Sequence, residues 1–221
     1  MAAELLADAH APIVALRTLL VSGAATALAV IIGVPIGYTI ARRSFRGRTI
    51  VLGLINTGMG MPPVVVGLIV WLLLVRSGPF GGLDLVYTPQ AMVLAQFLIA
   101  TPIVVGFTTA SFQALPPRLF DLLVVLGAGR LRRLWILATE ARLGLLVAIM
   151  AAFGAIVSEV GASMIVGGNL ERSTRVLTTA IVTETSRGEV ERALALGLVL
   201  LALSFVVNLS LTVVQQHART R

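Results

Sequence analysis

The chain has 221 residues, of which 57% are apolar and 12% charged, and its mean hydropathy is +0.99. Soluble globular domains average about 45–50% apolar and about 25% charged residues, so this composition excludes a water-soluble fold. The chain has no Cys, and its two His residues, His10 and His217, lie near the ends. We therefore predict no disulfide, no metal site and no intramembrane protease with a Ser and His pair.

Five stretches of the chain are predicted to cross a membrane. Runs without Asp, Glu, Lys or Arg occupy 18–41, 49–75, 85–117, 143–158 and 193–216. A spanning helix needs about 20 apolar residues, and interfacial charges at both ends can extend the short fourth run. The sequence predicts an all-α membrane protein of one domain, residues 1–221, with five transmembrane helices. They occupy about 18–41, 49–75, 88–113, 138–159 and 193–214.

The Arg residues are distributed unevenly between the two sides of these spans. All 17 basic residues are Arg, and eleven of them fall within 42–48, 118–142 and 219–221. The other six are interspersed with eight of the ten acidic residues. The positive-inside rule then places the amino terminus outside and the carboxyl terminus in the cytoplasm. Topology thus accounts for the pI of about 11.5, and we predict no nucleic-acid partner.

The leader before the first span carries Glu4 and Asp8 ahead of any Arg, which argues against a cleavable signal peptide. Its apolar residues suit a segment lying on the outer membrane surface, and a loosely ordered end is an equal alternative.

The segment that follows the third span is too patterned to be a simple connector. Apolar residues recur at helical spacing from Leu119 to Leu126, Pro117 suits a helix start, and Gly127 suits a helix stop. A second short helix with an Arg-rich face follows. Such an apolar ridge either docks on a partner, folds back on the bundle or lies on the lipid surface.

This segment resembles the cytoplasmic loop by which membrane subunits of binding-protein-dependent ABC importers dock on their ATPase. The family's loop opens with Glu-Ala-Ala, where this chain has Asp121, Leu122 and Leu123, and its Gly is matched by Gly127. Leu137 takes the family's Ile position, but Glu140 stands in place of its Pro. The resemblance implies a coupling loop at 118–137. Its contact residues would be Asp121, Leu122, Leu123, Leu126, Gly127, Ala128 and Arg130.

Two further stretches resemble the molybdate, tungstate and sulfate permeases of that family, and most of all the tungstate-type branch. Residues 61–68, Met-Pro-Pro-Val-Val-Val-Gly-Leu, resemble its Leu-Pro-Pro-Val-Val-x-Gly stretch. Residues 158–169 and 174–181 resemble the stretch after its fourth core helix, so that the likeness covers about 19–214.

The resemblance implies a type I ABC importer permease that pairs with itself in a bacterial or archaeal inner membrane. Its expected partners are cytoplasmic ATPase subunits, which bind the ATP and Mg, and an extracytoplasmic oxyanion-binding protein. The expected cargo is tungstate or molybdate. The alternatives are a permease for another small anion such as sulfate, and an ATPase-independent channel or carrier.

Residues of the second span and of 158–183 are candidates for the translocation path or gate. Pro62 and Pro63 remove two backbone donors, so they should break the second span, either at a gate or at a packed kink without a role in transport. The apolar pieces 160–166 and 176–183 are too short to span and should lie at the outer mouth. The candidates there share a polar or small side chain: Ser158, Glu159, Gly161, Asn169 and Arg175.

Two of these outer candidates, Glu159 and Arg175, also have a plainer interpretation. Glu159 could shape the pore entrance or simply reach for water at the interface. Arg175 could attract an oxyanion or be an ordinary solvated loop charge.

Four of the five spans contain no Asp, Glu, Lys, Arg or His, and this absence disfavours an ion-coupled carrier. The chain also has no phosphate-binding GxxxxGK[ST] motif, so ATP would be bound by another subunit. We therefore expect a non-catalytic subunit.

The topology predicts which introduced Cys residues react from outside. In Phe45→Cys, the thiol should be labelled by a membrane-impermeant reagent only after the cells are opened, because 42–48 belongs to the Arg-rich side. In Arg172→Cys it should be labelled in intact cells. Labelling of position 45 in intact cells would refute the assigned orientation.

Overall fold

The computed structural model describes residues 11–219, which form helices joined by turns and irregular segments. The leader's residues 1–10 lie outside the described part, as do Thr220 and Arg221. The helices are α1 (Ala11–Arg42), α2 (Arg48–Met59), α3 (Pro63–Leu74), α4 (Pro89–Gln113), α5 (Pro117–Val125), α6 (Arg130–Glu140), α7 (Arg142–Val157), α8 (Gly161–Gly167), α9 (Leu177–Ser186) and α10 (Val190–Arg219). A short 3₁₀ turn at Gly81–Leu83 precedes α4.

The all-α prediction is confirmed for the described residues, and so is the number of spans when bent helix pairs are counted as one. Three helices are each long and apolar enough to cross a membrane: α1, α4 and α10. Two consecutive pairs, α2 with α3 and α6 with α7, reach that length only together. The predicted spans 18–41, 88–113 and 193–214 correspond to the three long helices.

The predicted span 49–75 is not a continuous helix. The chain turns by 100° between α2 and α3, with Pro62 at the helix boundary and Pro63 in the first helical position. Neither Pro has an N–H to donate, so the helix stops before them and restarts without losing an internal hydrogen bond. The predicted break at Pro62 and Pro63 is confirmed.

The fourth predicted span, 138–159, began too early. Residues 138–140 belong to α6, which meets α7 at 80° through Ala141. The prediction extended the charge-free run 143–158 past Arg142 and Glu140 to reach spanning length, and residue type alone does not show that the chain bends between these two residues.

Helices α1 and α4 form the most extensive helix contact among the described residues. On α1 a small residue recurs every fourth position, at Ala25, Ala29, Gly33 and Gly37, and all four are buried. Residues four apart share one helix face, so this small-residue stripe lets the two backbones approach closely. At its end Thr109 of α4 donates a hydrogen bond to the Gly37 carbonyl at 3.4 Å.

The stripe predicts opposite effects for one substitution at two glycines of α1. A Cβ at Gly37 would lie 2.8 Å from the side chain of Thr108 and 2.9 Å from the Val105 carbonyl oxygen, whereas a Cβ at Gly23 meets nothing within 4 Å. We expect Gly37→Ala to lower the free energy of unfolding by about 1–3 kcal/mol. Gly23→Ala should leave it unchanged or raise it by up to about 1 kcal/mol, because Ala favours the helix.

Unfolding of both variants in the same detergent measures this difference. Equal stability of the two variants would show that the small-residue stripe does not set the distance between α1 and α4.

Candidate functional site

Helix α5 ends in a tight turn at Gly127. The N–H of Gly127 donates to the Val124 carbonyl at 3.0 Å, and the N–H of Ala128 donates to the Leu123 carbonyl at 3.0 Å. This pair of bonds is a Schellman motif, which requires a left-handed residue after the helix, and Gly127 has φ +68°. The predicted helix start at Pro117 and stop at Gly127 are both confirmed.

One face of α5 is exposed, and it includes two of the predicted contact residues, Leu122 and Leu126, but not Leu123. Leu122, Val125 and Leu126 are 53%, 83% and 69% exposed. Leu123 is only 6% exposed and packs with Phe112 of α4 and Leu137 of α6. Leu123, one of the contact residues implied by the resemblance, is therefore not exposed for a partner, because the turn of the helix points its side chain into the bundle. We call Leu122, Val125 and Leu126 the outer ridge.

The inner side of α5 is held by the end of α1. The guanidinium of Arg42 lies 3.2 Å from the ring centroid of Phe120, which is 4% exposed. Asp121 is exposed and interacts electrostatically with Arg42. Arginine over an aromatic face is a favourable contact, so α1 and α5 are joined at this end. Of the other predicted loop residues, Ala128 is half-buried and Arg130 is exposed.

The helix after the Pro break packs on the short helix α8. A Cβ at Gly67 of α3 would lie 2.6 Å from the Ala162 Cα, and a Cβ at Gly161 would collide with Val64. Both glycines thus allow a close crossing of α3 and α8. The structure thus places Gly161 against Val64, which follows Pro63 in α3, while Pro62 is exposed.

Glu159 is a helix cap that ties three elements together. Its carboxylate Oε1 accepts a hydrogen bond from the N–H of Ala162 at 3.0 Å, in the first turn of α8. Its carbonyl accepts a hydrogen bond from the hydroxyl of Thr178 of α9 at 3.0 Å. Ser158 is exposed and donates to the Gly154 carbonyl of its own helix at 3.0 Å. Glu159 therefore positions α8 against α7 and α9.

Asn169 and Arg175 lie in the loop that joins α8 to α9. Asn169 has φ +50° and donates from Nδ2 to the Thr183 hydroxyl at 2.6 Å, while Arg175 pairs with Glu171 at 3.2 Å. Left-handed backbone is well tolerated by Asn, so Asn169 takes a turn that most residues disfavour. Asn169 thus bonds the loop to α9, and Arg175 pairs with a residue of the loop itself.

Arg17 holds this loop from outside, a role that the sequence analysis did not identify. Its guanidinium donates to the carbonyls of Arg172 and Arg175, each at 2.9 Å, and to that of Glu171 at 3.4 Å. Next to it, the Thr18 hydroxyl accepts a hydrogen bond from the N–H of Leu177 at 2.9 Å. Nothing in the sequence indicates these pairs, because the partners are more than 150 residues apart and the acceptors are backbone atoms.

A buried polar pair connects α4 to α8. Gln96 donates from Nε2 to the Ser163 hydroxyl at 3.3 Å, and both residues are buried. Within residues 11–219, neither the Gln96 Oε1 atom nor Ser22 Oγ of α1 has a hydrogen-bond partner. Gln96, Ser163 and Ser22 are thus buried within the single chain and do not lie on its surface.

The sequence matches the family model for the binding-protein-dependent transport system inner membrane component over residues 33–220. A probable anion ABC transporter permease protein of Haloferax volcanii is 43% identical over 86% of this chain and 84% of its own length. A tungstate uptake system permease protein of Peptoclostridium acidaminophilum is 38% identical over 85% and 82%. Among solved structures, the inward-facing MetNI methionine ABC transporter matches 91% of this chain and 93% of its own chain, with a TM-score of 0.74 and 15% identity.

The cap at Glu159 predicts that the oxygen acceptor matters more than the charge. Glu159→Ala should lower the free energy of unfolding by about 1 kcal/mol, because the Ala162 N–H loses its acceptor. Glu159→Gln keeps an acceptor oxygen and should stay closer to the unsubstituted protein. Thermal unfolding of the two variants in detergent measures the difference. A Gln variant as unstable as the Ala variant would mean that the negative charge itself is required.

Proposed function

The chain belongs to the family of binding-protein-dependent transport system inner membrane components, and on this premise we propose that it is the permease subunit of an ATP-driven importer for tungstate or molybdate. The observation that carries the proposal is the 38% identity to a tungstate uptake permease over 85% of this chain. The 43% identity to a probable anion permease supports the same class of cargo.

The proposed assembly contains two copies of this chain, a pair of ATPase subunits and an external oxyanion-binding protein. The type I importer fold, seen in the likeness to MetNI, supports this composition. The chain is non-catalytic in this proposal, and the separate ATPase binds ATP and Mg. Exposed apolar side chains on α2, α3 and α10 leave ample surface for the second copy and for lipid.

The outer ridge of α5 is proposed to receive the force of the ATPase. Its three side chains point away from the bundle, whereas Phe120 and Leu123 on the opposite side are buried against α4 and α6. A push on the ridge is thus transmitted through packed side chains, and through Arg42 to α1. For this to happen in the cell, the Arg-rich end must be cytoplasmic, as the Arg distribution predicts.

The gate is proposed to lie where α3 crosses α8. The break at Pro62 separates α2 from α3, so α3 can tilt without bending a continuous helix. Helix α8 is in turn held by Glu159 and by the Ser163 hydroxyl bonded to Gln96. Movement of α4 is therefore coupled to the crossing by a direct hydrogen bond.

The function is tested by oxyanion flux into sealed vesicles that contain the permease and its ATPase, with the binding protein and tungstate on the side opposite the ATPase. Uptake should require ATP, the binding protein and the ATPase. Uptake that persists without the ATPase would favour the alternative of a channel or carrier. ATP-driven uptake of sulfate with exclusion of tungstate and molybdate would retain the importer and refute the proposed cargo.

The turn at Gly127 predicts how coupling is lost. In Gly127→Val a β-branched residue must adopt φ +68°, which strains the turn and displaces the outer ridge. We expect the variant to insert and fold but to lose most ATPase co-purification or most ATP-driven uptake. Gly129→Val is the matched control, because Gly129 has φ −63° and an added Cβ meets nothing within 4 Å.

Both variants are compared at equal expression, by co-purification of the ATPase and by uptake. Normal association together with normal uptake in Gly127→Val would remove α5 from the coupling path.

A further inference from the structure

A cleft of about 470 Å³ opens between the last turns of α1 and the start of α6. Four Arg side chains line it: Arg42, the last residue of α1, Arg43, which follows it, and Arg130 and Arg133 of α6. Less polar residues, including Pro35 and Leu134, also line it. We call this space the Arg cleft.

The Arg cleft carries more positive than negative charge. None of its lining residues is acidic, and the ion pairs found among residues 11–219 join Arg175 to Glu171 and Arg187 to Glu184, outside the cleft. Asp121, which does not line the cleft, interacts electrostatically with Arg42. The Arg133 Nε atom is buried and has no hydrogen-bond partner among the described residues. A buried donor without an acceptor is costly, so the cleft is suited to an anion with several acceptor oxygens.

The geometry places the Arg cleft at the level of lipid headgroups. Helix α6 lies at 80° to α7, so when α7 crosses the bilayer α6 runs along its surface. Leu131 and Trp135, one turn apart on α6, are 84% and 76% exposed, as expected for an amphipathic helix seated at the interface. Pro35 lies seven residues before Arg42, which corresponds to a rise of roughly 10 Å toward the middle of the span.

The cleft thus runs from a cluster of Arg residues into the hydrocarbon level, and we infer that it binds an acidic phospholipid, with the phosphate between the four Arg side chains and an acyl chain beside Pro35 and Leu134. An acidic protein segment would satisfy the Arg end only, because charged or polar backbone cannot enter the apolar end at low cost. A lipid satisfies both ends. Helix α6 follows α5 and its outer ridge in the chain. A lipid bound between α1 and α6 would therefore join these two helices, in addition to the contact of Arg42 with Phe120 that joins α1 to α5.

The test measures lipid retained by the permease purified in a neutral detergent, by native mass spectrometry. The probe is dioleoylphosphatidylglycerol, with dioleoylphosphatidylcholine as the zwitterionic comparator and inorganic phosphate as the water-soluble competitor. The variant with Arg43→Gln and Arg133→Gln should bind phosphatidylglycerol roughly tenfold more weakly, because each Arg contributes a direct contact to the phosphate. The control with Arg46→Gln and Arg132→Gln removes the same charge from the same two segments outside the cleft lining. It should stay within about twofold of the unsubstituted chain.

A second variant tests the shape of the cleft at constant charge. Thr39 lines the cleft, is exposed, and bonds only to the Pro35 carbonyl of its own helix at 2.8 Å. Thr39→Trp should fill the cleft and lower phosphatidylglycerol binding, and it remains informative if the double Arg variant does not fold.

Four results would overturn the inference. Equal losses in the two double variants would mean unspecific attraction to the Arg-rich end, and binding by Thr39→Trp as strong as in the unsubstituted chain would place the lipid elsewhere. Equal retention of phosphatidylcholine would show that the charge is not recognised. Displacement of the lipid by inorganic phosphate would assign the Arg cleft to a free phosphate, and the lipid assignment would then be wrong.

Discussion

The close contact between α1 and α4 is the constraint on which the rest of the structure depends. It is possible because Ala25, Ala29, Gly33 and Gly37 present almost no side chain to α4. In lipid, apolar burial does not distinguish one helix neighbour from another, so the fit of small residues and short hydrogen bonds must select the pairing. The small-residue stripe supplies that fit along most of the length of α1.

Helix α1 then fixes both ends of the bundle. At one end Arg17 donates to three carbonyls of the loop between α8 and α9. At the other end Arg42 lies over Phe120 of α5 and lines the Arg cleft. Because one helix carries both contacts, α1 positions the loop between α8 and α9 as well as helix α5. A shift of α1 relative to α4 would be felt at both.

The two irregular parts of the helical bundle differ in how far the rest of the chain covers them. The break between α2 and α3 uses two Pro residues, which leave no N–H to satisfy, and Met59 beside it packs on Gly106 of α4. The short helix α8 is capped by Glu159 and bonded to Gln96. Non-helical backbone is tolerated at membrane depth only when protein or water covers it. The contacts of α8 provide that cover, whereas residues 59–62 are exposed on the single chain.

The sequence by itself determined the helical class, the number of apolar spans, the Pro break and the stop at Gly127. Each of these follows from a local cause: apolar length, a missing N–H or a left-handed backbone position. Tertiary structure alone decided the inward direction of Leu123, the bend at Ala141 and the roles of Arg17 and Glu159. Their partners are distant in the chain or are backbone groups, and such groups leave no mark in residue type or spacing. Helix α5 carries apolar residues on two opposite faces. Which of the two faces is buried is decided only when neighbouring helices cover one of them.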